Sequence, residues 1–227
     1  MEYKKEIPAL KTRWTEDRYS DRYQNNPLRR KQYLLDANFI KRFVNNGVVC
    51  DVGCGTGEFL ETIKWNGLKF GMEISDTPKR IAEKKGINFN KDIFTEKDFF
   101  DVIIFRGTIQ HVDNPFLMMK KSLESLKSGG YIFFIATPNS ESWLYRRKLK
   151  LPALSKEINF YIPGALQLEN ALKNFGYQEI FIEQAYLGTP YAHPVTDHLK
   201  FLINLFTPYY LPHAFWGSMM SICAKKP

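Results

Sequence analysis

The sequence predicts an α/β fold in which an open, doubly wound sheet is built from strands that alternate with helices along the chain. Two continuous apolar runs support this prediction, DVIIF at 101–105 and YIFFIA at 131–136. Such runs are typical of parallel strands that are covered on both faces. A glycine-rich segment at 53–57, directly after a short apolar strand, is the third observation. The sequence shows neither an internal repeat nor a low-complexity linker, so we expect a single domain over residues 1–227.

The first half of the chain begins the alternation. Residues 1–30 are polar and aromatic and predict a lid or a helical cap ahead of the sheet. Apolar residues at helical spacing and short apolar runs predict the elements that follow. These are helix 31–45, strand 48–52, helix 58–65, strand 69–74, helix 78–85 and a third strand at 87–90.

The second half continues the pattern and then loosens. The expected elements are strand 101–105, helix 115–126, strand 131–136, helix 163–175, strand 178–183 and a last strand at 218–224. We expect the glycines of Ser128-Gly129-Gly130 to stop the first of these helices and Gly176 to close the second. Between the last two strands, residues 187–216 form an aromatic, proline-broken insert.

Charge and cysteine content narrow the class of protein. A formal net charge of +8 and an isoelectric point near 9.2 suit nucleic acid, an anionic small molecule, a membrane surface or simply a solvated basic surface. The basic residues are spread along the chain, which disfavours nucleic acid. Three cysteines without CxxC pairing and four scattered histidines predict neither a disulfide framework nor a metal site. The sequence opens without a signal-peptide pattern, so we expect a cytoplasmic protein.

The glycine loop carries the strongest chemical signal. Asp51 ends the first strand, and the loop Gly53-Cys54-Gly55-Thr56-Gly57 follows. Glycines here let a ligand approach the backbone and permit positive φ angles. Glu58 stands where the dinucleotide fingerprint has its third glycine, and it would repel a pyrophosphate. S-adenosylmethionine (SAM) has no phosphate and carries a cationic sulfonium, so the loop favours SAM.

Two carboxylates on the following strands strengthen this interpretation. Glu73 ends the second strand, and a carboxylate there can accept hydrogen bonds from both ribose hydroxyls of a nucleoside. Asp92 ends the third strand, where it can accept from the adenine amine while Ile93 supplies an apolar face. Each acid alone would be read as an ordinary solvated side chain, but together they predict a nucleoside site.

The order of these segments resembles the class I SAM-dependent methyltransferases. The resemblance covers roughly residues 48–139 through DVGCGTG, GMEIS, KDI, FDVIIFRGTIQHVDNP and LKSGGYIFFIATPN. It points to the small-molecule branch, which includes quinone-biosynthesis and sugar or surface-polysaccharide methyltransferases. It implies a Rossmann-like sheet of seven strands with an antiparallel last strand, a helical N-terminal cap and an insert before that strand. SAM would lie across the carboxyl ends of the strands.

The resemblance also implies roles for individual residues. The positions expected to bind SAM, and to release S-adenosylhomocysteine, are Asp51, Gly53, Cys54, Gly55, Thr56, Gly57, Glu73, Ile74, Asp92, Ile93, Arg106 and Gln110. Arg106 and Gln110 would line the mouth shared by the cofactor and the acceptor. The guanidinium of Arg106 could hold an anionic acceptor group bidentately or cover the SAM carboxylate.

Catalysis by such an enzyme depends mainly on aligning the acceptor with the sulfonium methyl, which can supply roughly 7–11 kcal/mol. For a hydroxyl acceptor, a general base adds to this effect, and His111 is the candidate because it closely follows the fourth strand. The alternative is a structural histidine that holds the loop over SAM, and the sequence leaves both open. Tyr19, Tyr23 and Tyr161 are candidate acceptor contacts.

The acceptor is predicted from the resemblance of RGTIQHVDNP and TPNSES, which favours a hydroxyl of a sugar or other small cell-envelope metabolite. A quinone-type aromatic acceptor, methylated on oxygen or carbon, is the alternative. A SAM- or nucleoside-binding protein without catalysis is the alternative of another class. Residues 106–109 read RGTI, whereas nucleic-acid amino-methylating enzymes usually carry Asp/Asn-Pro-Pro-Tyr/Phe there. A nucleic-acid substrate is therefore not expected.

The insert at 187–216 leaves a membrane question open. Residues 201–224 contain no Lys, Arg, Asp or Glu, yet Pro208 and Pro212 interrupt them, so a transmembrane helix is not expected. Residues 198–206 predict an amphipathic helix. It either packs on its own domain, or it acts as a lid or a peripheral membrane contact for a lipid-linked acceptor.

Overall fold

A computed structural model describes residues 26–146, 161–207, 211 and 216–227. Its helices are α1 (Pro27–Lys41), α2 (Glu58–Thr62), α3 (Asp76–Lys84), α4 (Pro115–Ser125), α5 (Trp143–Arg146), α6 (Ala165–Phe175) and α7 (Pro194–Phe206), with a short 3-10 helix at Ile109–His111. Its strands are β1 (Val49–Val52), β2 (Lys69–Met72), β3 (Phe100–Arg106), β4 (Leu126–Pro138), β5 (Gln178–Glu183) and β6 (Met219–Lys225).

The strands form one mixed sheet in the order β2-β1-β3-β4-β6-β5. The neighbours from β2 to β4 are parallel, whereas β6 is antiparallel to both β4 and β5. The predicted α/β fold and the antiparallel last strand are therefore confirmed. Parallel strands end at the same edge of a sheet, so the carboxyl ends of β1 to β4 lie together.

The described residues form six strands where seven were expected, because the predicted third strand at 87–90 is reduced to one bridge. Asn88 pairs with Phe70 at the outer edge of β2, and two backbone hydrogen bonds of 2.9 Å join Asn88 to Lys69 and Gly71. Immediately afterwards Asp92 turns the chain, since its Oδ1 accepts from the amides of Phe94 and Thr95 at 2.8 and 3.0 Å. The segment bends away before a longer ladder can form.

The sheet is covered on both faces, as the apolar run of β3 predicts. Ile103 and Phe105 of β3 belong to one buried cluster, which also contains apolar residues of α4 and α6. Val102 and Ile104 belong to the other, together with residues of α1 and α2. Alternate side chains of β3 therefore enter different cores, which explains why none of its central residues is polar.

Two helix ends were predicted with different success. The stop at Gly176 is confirmed, because this residue caps α6 with φ +95°. The stop at Ser128-Gly129-Gly130 is wrong: α4 ends at Ser125 and the chain enters β4 at once. These glycines lie at the start of β4, where Gly129 has φ +77° and its amide donates to the carbonyl of Lys226 at 3.0 Å.

The insert at 187–216 contains α7, which covers the predicted amphipathic stretch. Helices in the described ranges are all too short or too polar to cross a bilayer.

Candidate active site

The predicted site residues come together at the carboxyl edge of the sheet. The glycine loop follows β1, Glu73 follows β2, the 3-10 helix with Gln110 and His111 follows β3, and Asn139 follows β4. Because this edge collects four strand ends, residues far apart in sequence face one region.

The glycine loop is held between β2 and the loop after β3. The amide of Gly53 donates to the carbonyl of Met72 at 2.8 Å, and the amide of Gly55 donates to Glu73 Oε2 at 3.0 Å. Gly53 has φ +76°, and a Cβ at this position would lie 2.5 Å from Thr108 Cγ2. A larger residue at Gly53 would therefore be strained and would collide with the neighbouring loop.

Glu73 holds the glycine loop in place and also borders the candidate ligand site. Its Oε2 accepts from Gly55, and its Oε1 accepts from the amide of Ser75 at 2.9 Å. Burial raises the pKa of this carboxyl above its ordinary value, and the backbone hydrogen bonds of Ser75 and Gly55 oppose the rise. A carboxylate has about four acceptor sites, so a ribose hydroxyl would share Glu73 with these backbone donors. The neighbouring side chain of Ile74 is 58% exposed beside this position.

Asp51 is a buried carboxyl at this edge, and its surroundings strongly raise its pKa. Its side chain is 2% exposed, and Oδ1 has no hydrogen-bond partner among the described residues. Burial raises its pKa to about 7, the positive charge of Arg106 acts against the rise, and the negative charge of Glu73 adds to it. A buried carboxylate without a donor is costly, so this oxygen fits a ligand that brings a cationic or N–H donor.

These features fit SAM. The positive-φ glycines let the loop turn tightly beneath the strand ends, Asp51 Oδ1 offers an acceptor to a cationic ligand, and Glu73 offers acceptors to ribose. Cys54 and Thr56 are buried within the same loop. When bound, SAM would supply a methyl group that is already activated by its sulfonium. The role of each of these residues toward SAM stays a prediction.

Asp92 and Ile93 make contacts within the protein that compete with their predicted contacts to adenine. Asp92 uses Oδ1 to hold its own turn, and no described residue donates to its Oδ2, which is the atom left for an adenine amine. The side chain of Ile93 is 1% exposed and packs in the core. Its contact with adenine stays a prediction.

The structure places the side chain of Arg106 against α1, and its predicted contacts with SAM and the acceptor stay predictions. Its Nε donates to Asp36 Oδ2 at 2.8 Å, and the two side chains are only 13% and 4% exposed. The guanidinium carbon lies 4.3 Å from the centroid of the Tyr33 ring. Asp36 therefore partly neutralises this buried cation through Nε.

Gln110 and His111 lie in the turn that follows β3, and Tyr161 contacts this turn from a later part of the chain. Gln110 Nε2 donates to the carbonyl of Gly107 at 3.0 Å and lies 3.3 Å from His111 Nε2. Gln110 Oε1 is buried without a partner in the described ranges. The amide of Tyr161 donates to the carbonyl of Gln110 at 3.3 Å, which places Tyr161 at this loop. Tyr19 and Tyr23 fall outside the described residues.

A cleft of about 510 Å³ opens at the carboxyl ends of β4 and β5, on the opposite side of β3 from the glycine loop. Its lining residues are Asn139, Glu141, Arg146, Ala165, Leu166, Ile182 and Gln184. The glycine loop and this cleft are therefore separated along the sheet edge, with the Gln110–His111 turn between them.

Sequence reasoning missed three residues that shape the site. Asp36 neutralises Arg106, Thr108 packs against Gly53, and Asn139 caps α6 by accepting from the amide of Ala165 at 3.2 Å. Asp36 left a usable signal, because an acid among the apolar positions of a predicted helix is a candidate for a buried ion pair. Thr108 and Asn139 left none, since ordinary polar loop residues have this appearance.

The raised pKa of Asp51 predicts a pH-dependent stability of the ligand-free protein. In the unfolded chain the carboxyl ionises near its ordinary value of 3.8, and in the folded protein it ionises near 7. Between these values the folded state binds more protons, so stability falls as the pH rises through this window and is flat above it. Wild type should lose stability relative to Asp51→Asn by up to ~1.4 kcal/mol per pH unit.

Urea unfolding of both proteins from pH 4 to pH 9 measures this difference. Other titrating groups are common to the two proteins and cancel. A difference in unfolding free energy that does not change with pH would contradict the burial of Asp51 described above.

Comparisons with known proteins agree with the fold. A family model described as a methyltransferase domain matches residues 21–180. A ubiquinone biosynthesis O-methyltransferase of Saccharophagus degradans is 26% identical over 228 residues, which cover 90% of this chain and 91% of that protein. A possible histamine N-methyltransferase of Thermotoga maritima matches in structure with a TM-score of 0.61 at 23% identity, over 88% of this chain and 92% of that one.

A second solved structure, phosphoethanolamine N-methyltransferase 2 of Haemonchus contortus in complex with SAM, has a TM-score of 0.56 at 16% identity. It covers 86% of this chain and 52% of the other. The family model and the fold thus identify a SAM-dependent methyltransferase, an enzyme whose methyl donor is SAM. The chain belongs to the methyltransferase-domain family, whose model spans more than half of its length.

Proposed function

We propose that this enzyme transfers the methyl group of SAM to a hydroxyl of a small, quinone-type aromatic acceptor. The observation that carries the proposal is the similarity, along nine-tenths of the chain, to a ubiquinone biosynthesis O-methyltransferase. A second relative with the same name, from Yersinia pestis, is 25% identical over 219 residues. These relatives favour an aromatic acceptor over the sugar or cell-envelope metabolite expected from the sequence.

The glycine loop and the cleft lie at separate parts of the sheet edge, and this separation supports a reaction between two substrates. In this proposal the glycine loop, Asp51 and Glu73 hold the donor above β1 and β2, with Asp92 near the adenine. The acceptor occupies the cleft at the ends of β4 and β5, so the methyl passes near the Gln110–His111 turn. Anionic and lipid-linked aromatic acceptors both fall within this proposal.

The surroundings of the turn suit an aromatic ring. Tyr161 lies with its ring centroid 6.0 Å from that of Phe116, and Leu166 and Ile182 give the cleft an apolar part. Aromatic side chains favour offset or edge-to-face contacts with a planar substrate. Glu141 and Gln184 supply polar atoms that could orient hydroxyl groups.

The test is methyl transfer by the purified full chain to two acceptor classes. S-adenosylhomocysteine formation is measured with ortho-dihydroxylated aromatic acceptors and, separately, with sugars and nucleotide sugars. We expect turnover with the aromatic class alone. Turnover restricted to sugars would overturn the proposal in favour of the cell-envelope acceptor, and carbon methylation in the product would replace the O-methyl assignment.

We propose His111 as the general base that takes the acceptor proton. His111→Ala should lower kcat by about 10²–10⁴-fold, because a positioned base contributes that much to proton transfer. The dissociation constant of SAM should stay unchanged. Steady-state kinetics and calorimetric titration with SAM measure the two quantities.

The matched control is His193→Ala, which removes an exposed imidazole beside α7 and should leave kcat unaltered. A His111→Ala enzyme with unchanged kcat and weaker SAM binding would assign His111 the structural role of holding the loop.

A further inference from the structure

Helix α7 exposes an apolar face to solvent. Val195, Leu199, Leu202 and Phe206 are 83%, 57%, 50% and 83% exposed, respectively. Their spacing of four, three and four residues places them on one side of the helix. We call these four residues the apolar face of α7. In an ordinary surface helix such a stripe faces the core, so the orientation of α7 is reversed.

The opposite side of α7 is polar and is fixed to the protein by hydrogen bonds. Asp197 is 2% exposed, and its Oδ2 accepts from the Tyr186 hydroxyl and from the amide of His193, both at 2.8 Å. Asn204, which is 8% exposed, exchanges hydrogen bonds of 2.8 and 3.0 Å with the backbone of Leu211. Asp197 and Asn204 set the rotation of the helix, so the outward apolar face is a specified feature.

Charge around α7 complements an anionic surface. The insert at 187–216 contains one acidic residue, Asp197, and it is buried, so no carboxylate of this segment is exposed. Trp143 of α5 lies against Phe201 of α7, with ring centroids 4.9 Å apart. Helix α5 ends at the exposed Arg146, where the sequence Arg-Arg-Lys-Leu-Lys begins. A basic sequence cluster therefore starts beside the apolar helix.

From these observations we propose that α7 docks the enzyme on the surface of an anionic lipid bilayer. The helix lies in the plane of the interface, with its apolar face among the upper acyl chains and Arg146 on the side of the phosphates. The net charge of +8 favours this occupant over a second copy of the chain, because two such molecules repel each other. The proposal goes beyond the methyl-transfer assignment and stands without it.

Docking through α7 would bring the acceptor cleft close to the membrane. Arg146, at the end of α5, lines that cleft, and α5 is in contact with α7. An acceptor anchored in the bilayer could then enter without crossing bulk water.

Flotation of the full chain with vesicles tests the proposal. We expect the protein to float with vesicles of mixed phosphatidylcholine and phosphatidylglycerol, and to float less with phosphatidylcholine alone or at high salt. Leu199→Asp should reduce the floated fraction about tenfold. It places a charge where, in this proposal, a leucine side chain enters the bilayer. Leu202→Asp is a second variant on the same face.

Leu68→Asp is the matched control, since Leu68 is also 57% exposed but lies before β2. It should float like wild type, and SAM binding by all variants confirms that each is folded. The proposal is overturned if wild type stays with the unbound fraction, or if Leu199→Asp and Leu202→Asp both float like wild type. A wild-type dimer in light scattering that Leu199→Asp dissociates would also overturn it, by assigning the apolar face to a second copy.

Discussion

Replacing Glu73 with alanine is expected to weaken SAM binding by about 10²–10⁴-fold. Two hydrogen bonds from ribose hydroxyls to a carboxylate account for about 3–6 kcal/mol of binding free energy. The same substitution removes the acceptor for the Gly55 amide, which lies 3.0 Å from Glu73 Oε2, so the glycine loop also loses an anchor. Isothermal titration with SAM measures the dissociation constant directly.

Two further variants make this result specific. Glu83→Ala removes an exposed carboxylate of α3 and should leave SAM affinity unchanged. Glu73→Gln keeps a carbonyl acceptor and the side-chain shape, so its affinity should fall between those of wild type and Glu73→Ala. Unchanged binding by Glu73→Ala would remove Glu73 from the donor site and leave it as a loop anchor only.

Replacing Asp36 with alanine is expected to lower the free energy of unfolding by about 3–5 kcal/mol, because it leaves a buried guanidinium without its carboxylate. Arg106 is only 13% exposed, so it cannot recover hydration without moving. The rings of Tyr33 and Phe59 lie 4.3 and 5.4 Å from its guanidinium carbon and offset part of the loss. Urea unfolding followed by circular dichroism measures the change.

The exposed pair between Lys173 and Glu169 provides the control. Lys173 is 58% exposed, and Lys173→Ala should change stability by less than about 1 kcal/mol. The double variant Asp36→Leu with Arg106→Met should recover much of the loss, since it removes both charges together. If Asp36→Ala unfolds no more easily than Lys173→Ala, the Asp36–Arg106 pair is not the link between α1 and the sheet edge.

The features that the sequence predicted well are local. The apolar run of β3 reports burial on both faces without reference to any other segment. The glycine loop and Glu73 follow their strands directly, so the parallel order of β1 and β2 is enough to bring them together. The Gly55–Glu73 hydrogen bond was not predicted, but each of the two residues was predicted to bind SAM.

The features that it missed depend on partners distant in sequence. The ion pair of Arg106 was not predicted, because its partner Asp36 lies 70 positions earlier in the chain. The third strand failed because Asp92 turns the chain, a local competition that apolar spacing does not report. The periodicity of α7 identified an amphipathic helix, but periodicity does not state which side faces water. Only the burial of Asp197 and Asn204 does so.

The position of β6 has a consequence for biosynthesis. This strand follows every other described strand in the chain, yet it lies between β4 and β5 and pairs with both. On the ribosome, β1 to β4 can associate as they emerge, whereas β5 has no neighbour in the sheet until β6 has left the exit tunnel. Until then β4 keeps an unpaired edge, which is a template for mispairing. Completion of the sheet therefore waits for β6, and slow exit of the segment that carries it would prolong the interval in which a nascent chain can aggregate.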